Sequence, residues 1–181
     1  MLSYLKSFRQ RRIIRNLKSN VRSKKIDNLS DLKTIGVICS LDTEPNWNIL
    51  YHFAKVMEEQ GKQVSFMALV PQGQEINFVV THPSAFLCRE KEDFNFWGMP
   101  SESSIAQFIA HHFDLLIDTI GDSNFFSQYV ALRCNANLKV VYATPTEDPS
   151  EVFDLIIRGD GRVELKDYFN NVVKYLTMIR K

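Results

Sequence analysis

Apolar residues along the chain follow two patterns: short continuous runs, and longer stretches in which they return every three or four positions. Thr34-Ile35-Gly36-Val37-Ile38-Cys39 is a run of the first kind, rich in β-branched residues, as expected of a strand buried on both faces. Thr43 can then cap a helix with Glu44 and Pro45 in its first turn. Trp47, Leu50, Tyr51, Ala54 and Met57 follow at helical spacing until Gly61 closes the helix. A second run over residues 63–70 comes directly after, so strand, helix and strand make a right-handed crossover.

The alternation continues to the end of the chain. Residues 71–100 are the least regular; they hold a third strand at 85–89 and the aromatic loop Phe94-Asn95-Phe96-Trp97-Gly98. A helix is expected from Pro100 through His112, and Phe113-Asp114-Leu115-Leu116-Ile117-Asp118 is the clearest buried strand. Ser123 or Asn124 opens a helix to about Arg133, strands follow at 138–142 and 152–157, and a closing helix spans 163–179. This is the pattern of an α/β fold with an open, mostly parallel, doubly wound sheet of Rossmann-like or flavodoxin-like type. Short connections and right-handed crossovers predict the strand order 3-2-1-4-5-6. The link before strand six contains Pro145 and Pro149 and has room for one helical turn at most, so that strand is expected to be antiparallel or an edge.

Ahead of the alternation lies a segment of different character. Leu2, Leu5, Phe8, Ile13, Ile14, Leu17 and Val21 recur at mixed three- and four-residue steps, which predicts a helix with a broad apolar side. Between Met1 and Lys25 there are nine basic residues and no acid; since the whole chain carries +1, the remainder carries −8. The sequence therefore divides into a basic amphipathic arm, 1–30, and a single α/β domain, 31–181. The arm is expected to dock its apolar side, Leu5, Phe8, Ile13 and Leu17 included, on the acidic body of its own chain, of a second copy or of a protein partner. Arg9, Arg11, Arg12, Arg15 and Lys18 are candidates for polyanion contact, with nucleic acid or an anionic membrane surface as the partner.

Composition narrows the classes. With 45% apolar residues and 24% charged, the 181-residue chain has ample core, which excludes intrinsic disorder. Arginines interrupt the apolar stretches of the arm, against an export signal, and no apolar run approaches the roughly 18 residues of a membrane span. Cys39, Cys88 and Cys134 are an odd number without C-x-x-C spacing, as expected of reduced thiols in a soluble cytoplasmic protein.

In a doubly wound sheet ligands bind beyond the carboxyl ends of the central strands. The residues there that could hold a small polar ligand are Ser40, Asp42, Asp118, Asp122 and Ser123. The plainer account makes Asp42 and Asp122 helix-entry carboxylates and Asp118 a carboxylate bonded to loop amides. No dinucleotide fingerprint or phosphate loop occurs, and Asp42 with Glu44 would repel a phosphate, so no cofactor is expected. His52, His82 and the pair His111-His112 lack metal-ligand spacing, so no metal is expected either. Cys39 stands where some enzymes place a nucleophile but lacks a neighbouring arginine or second cysteine.

Two resemblances add to this reading. The Phe113 to Asp118 strand, with the helix ending Ala131-Leu132-Arg133 and the strand through Lys139-Val140, is similar to part of the amino-terminal half of heptosyltransferase-type glycosyltransferases. It is a generic α/β pattern and brings no activity with it. More of the chain resembles an uncharacterised family of small bacterial proteins. The resemblance rests on the basic amino-terminal helix, Asp93-Phe94-Asn95-Phe96-Trp97-Gly98, the strand from Phe113 and the helix Asp167-Tyr168-Phe169-Asn170-Asn171-Val172-Val173-Lys174-Tyr175-Leu176. It implies an α/β protein and no particular function. The leading expectation is a non-enzymatic binding or interaction module using the basic helix. The alternative is a small-ligand-binding or glycosyltransferase-like enzyme domain with its site at the strand ends; a pocket with several of the five candidates converging on it would favour that alternative.

Overall fold

The computed structural model describes residues 2–17, 24–121, 124–143, 152–158 and 163–179. Helix α1 (Leu2–Leu17) is followed by a 3-10 turn (Leu29–Asp31), β1 (Thr34–Ser40), α2 (Glu44–Glu59), β2 (Gln63–Val70) and β3 (Ala85–Arg89). Then come the single turn α3 (Glu90–Asp93), α4 (Glu102–Ile109), β4 (His112–Asp118), α5 (Phe125–Arg133), β5 (Asn135–Ala143), β6 (Leu155–Arg158) and α6 (Leu165–Met178). The strands form one sheet in the expected order, β3-β2-β1-β4-β5-β6, and every neighbouring pair is parallel.

Local chemistry sets most element ends. The side chains of Thr43, Ser101 and Asn124 accept the backbone N–H of Asn46, Ser104 and Ser127 at 3.4, 3.3 and 3.2 Å, each satisfying a donor the first helical turn leaves open. At the other end of α2, Gly61 at φ +81° donates to the Glu58 carbonyl at 2.8 Å and Lys62 to that of Met57 at 3.1 Å. That bond pair needs a left-handed residue between them, which glycine supplies without strain.

Three boundaries differ most from expectation. The helix expected to reach His112 stops at Ile109, because His112 pairs with Asn135 and opens the β4 ladder. Extended by the same ladder, β5 begins three residues early. β6 is a parallel edge strand, with Val140 opposite Leu155 and Ala143 opposite Arg158. It starts at Leu155 because Val152 and Phe153 turn into the apolar cluster on one face of the sheet, while Asp154 exchanges bonds of 2.8 and 2.9 Å with the backbone of Lys139.

Parallel sheets are covered on both faces. On one face α2 and α6 pack Trp47, Leu50, Phe53 and Met57 beside Phe169, Val172 and Leu176 over Ile35, Val37 and Cys39, and the Phe53 and Phe169 rings stack at 4.1 Å. On the other face Ile38, Met67, Leu116 and Val141 meet Ile105 and Phe108 of α4 and Phe126 and Val130 of α5, and Ile14 of α1 joins this cluster. Here β1 is tight against β4: a Cβ on Gly36 would stand 2.9 Å from Leu116.

The amino ends of the central strands are tied by Asp114. Its carboxylate accepts the N–H of Lys33 at 2.8 Å and of Thr34 at 3.1 Å, and the Asn137 side-chain amide at 3.2 Å, linking β1, β4 and β5. Burial alone would raise its pKa. The bonds from Lys33 and Thr34 outweigh burial and hold it below the usual carboxylate range. A depressed folded pKa adds stability above the unfolded value and loses it as pH falls through the folded one. Asp114→Ala is therefore expected to cost about 1–3 kcal/mol near neutral pH, with a gap from wild type in urea midpoint that narrows as pH falls below about 4. A pH-independent gap would show that the charge contributes nothing.

Candidate functional site

At the carboxyl ends of the strands three of the five candidates, Ser40, Asp42 and Asp118, are described, and their hydrogen bonds fall in two sets. Ser40 donates its hydroxyl to the Asp42 carboxylate, so these two loop residues pair with each other, and the Gln74 side chain bonds the Asp42 carbonyl. Asp118, paired with Ile38 in the ladder, is fully buried. One of its carboxylate oxygens accepts the Ser127 hydroxyl of α5, the other accepts the Ile120 N–H at 2.9 Å, and its carbonyl accepts the Tyr168 hydroxyl of α6 at 2.9 Å. Burial, reinforced by the Asp118 charge, raises the Tyr168 phenol well above its ordinary value, so it stays a donor. Asp118 thus ties β4 to helices on both faces. Asp122 and Ser123 lie outside the described residues.

Neighbouring groups are equally quiet. Cys39 is buried, and burial, with the charges of Asp118 and Asp42, pushes its thiol far above neutral pH. Burial likewise carries Cys88 to about 11 and Cys134 to about 12. His82, isolated in sequence, sits against the rings of Tyr51 and Phe66. Its Nδ1 accepts the Ser84 N–H at 3.2 Å, which leaves Nε2–H to donate to Glu58 at 3.0 Å and pins this segment to α2. Among the described residues no three His, Cys, Asp or Glu side chains converge as a metal site.

The second candidate surface is α1 with the aromatic loop. Phe94 and Pro100 form an antiparallel bridge that closes the loop. Inside it the Asn95 side chain accepts the N–H of Trp97 at 2.9 Å and of Met99 at 3.1 Å, and the Gly98 N–H donates to the Asn95 carbonyl at 2.8 Å. Gly98 has φ +73°, and a Cβ there would stand 2.4 Å from Cε of Lys6 and 3.0 Å from Nε2 of Gln10. The left-handed backbone is what calls for glycine here, and the ends of the Lys6 and Gln10 side chains of α1 lie directly over it. Gln10 donates to the Trp97 carbonyl at 3.1 Å, and the Arg9 guanidinium lies 4.5 Å from the Trp97 ring centroid.

The arm is therefore docked on its own body, against α5 and this loop, but by a narrower strip than its apolar pattern suggests. Ile14 is buried and Gln10, Ile13 and Leu17 are half-buried. Leu5 and Phe8, expected inside, are outside: Tyr4, Leu5 and Phe8 are 77%, 48% and 61% exposed. At about 100° per residue, Phe8 lies half a turn from Leu17 and Tyr4 half a turn from Ile13. The apolar residues form two opposite stripes instead of one broad side, and only one is used. Arg11, Arg12 and Arg15 continue the outer side, while Lys18 lies outside the described residues. Phe96 of the loop is likewise exposed, at 71%, and its ring lies 5.3 Å from that of Trp97. No spacing rule links residue 9 to residue 97, so this pairing had no signal in the sequence beyond the turn residues Asn95 and Gly98.

The two stripes predict opposite responses. Ile14→Ala is expected to cost about 2 kcal/mol or more, lowering Tm by about 4–8 °C in a chain this long. Phe8→Ala, on the outer side, should stay within about 0.5 kcal/mol. Calorimetry of the two variants checks this; equal losses would mean that both stripes are packed.

Among the described residues no helix is long and apolar enough to cross a membrane. No curated protein matches the chain. A family of unknown function, DUF6913, matches it from residue 6 to residue 179, a span that takes in α1 from Lys6 onward, the aromatic loop, all six strands and α6, and the chain belongs to that family.

Proposed function

We propose that the protein is a non-enzymatic interaction module whose binding surface is the outer side of α1, with the exposed Phe96 of the aromatic loop as a further contact, and whose partner is anionic. The observation that carries this reading is the two-sided character of α1. One side is engaged in docking, and the other carries arginines and large apolar side chains in water. Large apolar side chains exposed together on one side of a helix mark interaction surfaces. Docking also fixes the geometry. A helix held along its inner side against α5 and anchored through Gln10, Ile14 and Trp97 presents its outer side without the ordering cost of a mobile arm.

The strand-end alternative has less to support it. Ser40 and Asp42 bond to each other, and both oxygens of Asp118 serve the turn and helix that follow β4. The three cysteines are free and buried, which supports a reducing, cytoplasmic setting.

Salt-gradient elution from a heparin column tests the anionic preference. Full-length protein is expected to be retained, with a logarithmic salt dependence of roughly 0.7–0.9 per phosphate-like contact. The triple variant Arg11→Gln, Arg12→Gln, Arg15→Gln should elute well before wild type at unchanged Tm. Co-elution of the two would refute the reading.

A further inference from the structure

We infer that the anionic partner is the surface of a phospholipid bilayer carrying acidic headgroups, on which α1 lies with its outer side down. This rests on the interaction reading above and names its partner. Three observations select a lipid surface. The exposed side of α1 combines Tyr4, Leu5 and Phe8 in its first half with Arg11, Arg12 and Arg15 in its second. No acid interrupts this segment, since the sequence from Met1 to Lys25 contains none. Phe96 adds a further exposed ring from the loop that grips the same helix through Trp97.

Each possible partner satisfies a different part of this set. A nucleic-acid backbone answers the arginines, but Leu5 has no π-face to stack on a base, and in α1 only Tyr4 and Phe8 could do so. A second copy of the chain could cover the apolar residues, but it would bring the same arginines against their equivalents, where like charges repel. An acidic bilayer interface satisfies both. Apolar side chains enter the headgroup and acyl boundary to a depth of roughly 5–10 Å while arginines remain at the phosphates, the arrangement in which interfacial amphipathic helices bind. The inner side of α1 stays on the protein, so attachment needs no unfolding.

Co-sedimentation of the full-length protein with vesicles tests this, using phosphatidylcholine alone and phosphatidylcholine with about one third phosphatidylserine. Binding is expected only to the acidic vesicles. Phe8→Ala should weaken it about tenfold and each Arg→Gln at positions 11, 12 or 15 about fivefold. Unchanged Tm and circular dichroism would establish that these variants are folded. Equal sedimentation with neutral and acidic vesicles, or acidic binding indifferent to Phe8→Ala, overturns the inference. The same samples are titrated against single-stranded RNA. RNA binding without vesicle binding overturns the lipid assignment but keeps an anionic interaction module. Failure to bind vesicles, RNA and heparin alike overturns both.

Discussion

Everything in this structure depends on covering a parallel sheet on both faces. A six-stranded parallel sheet exposes apolar side chains on either side, and its buried runs from Ile35, Phe66, Leu115 and Val140 have no polar face to turn to water. Helices α2 and α6, with 16 and 14 residues, cover one side. On the other, α4 and α5 have only 8 and 9 residues, about 12–14 Å of helix each against roughly 21–24 Å opposite. Helix α1 packs on this thinner side, and Ile14 enters the same apolar cluster as Phe108, Phe126 and Leu116. Helix α1 of the basic arm is thus part of the cover.

That constraint explains the unusual composition of α1. Its inner strip is short, from Gln10 to Leu17, and beside it the ends of the Lys6 and Gln10 side chains lie over Gly98 of the aromatic loop. The remaining apolar residues, Tyr4, Leu5 and Phe8, are not used by the body. They stand with the arginines on the side from which an external surface can approach. At the strand ends, where α/β proteins commonly bind ligands, the described candidates have partners within the chain: Asp118 bonds Ser127, Ile120 and Tyr168 and so holds the fold, and Ser40 bonds Asp42.

Much of this was legible in the sequence, for identifiable reasons. The runs at Thr34 and Phe113 are continuous and β-branched or leucine-rich, so their burial and the strand order followed from pattern and handedness alone. Thr43 and Gly61 marked the ends of α2, and Asn124 was one of the two residues read as opening α5, because capping is local chemistry. Long-range features were not legible. The stacking of Arg9 on Trp97 and the pairing of His82 with Glu58 depend on segments brought together only by the fold. Spacing placed Leu5 and Phe8 with Ile13 and Leu17, but the five-residue step from Phe8 to Ile13 carries the pattern about 140° around the helix, and there the two sides part. Which side met the body was decided by α5 and the loop at residue 98.

The central claim, that α1 is an integral part of the fold held by its inner side, is tested most directly by amide hydrogen exchange. In full-length protein the amides of residues 10–17 should be protected well beyond an isolated helix of this length, which is marginal in water. In Ile14→Asp that protection should vanish while the amides of β1 and β4 keep theirs. Exchange of residues 10–17 at unstructured-chain rates in the unaltered protein would contradict the account.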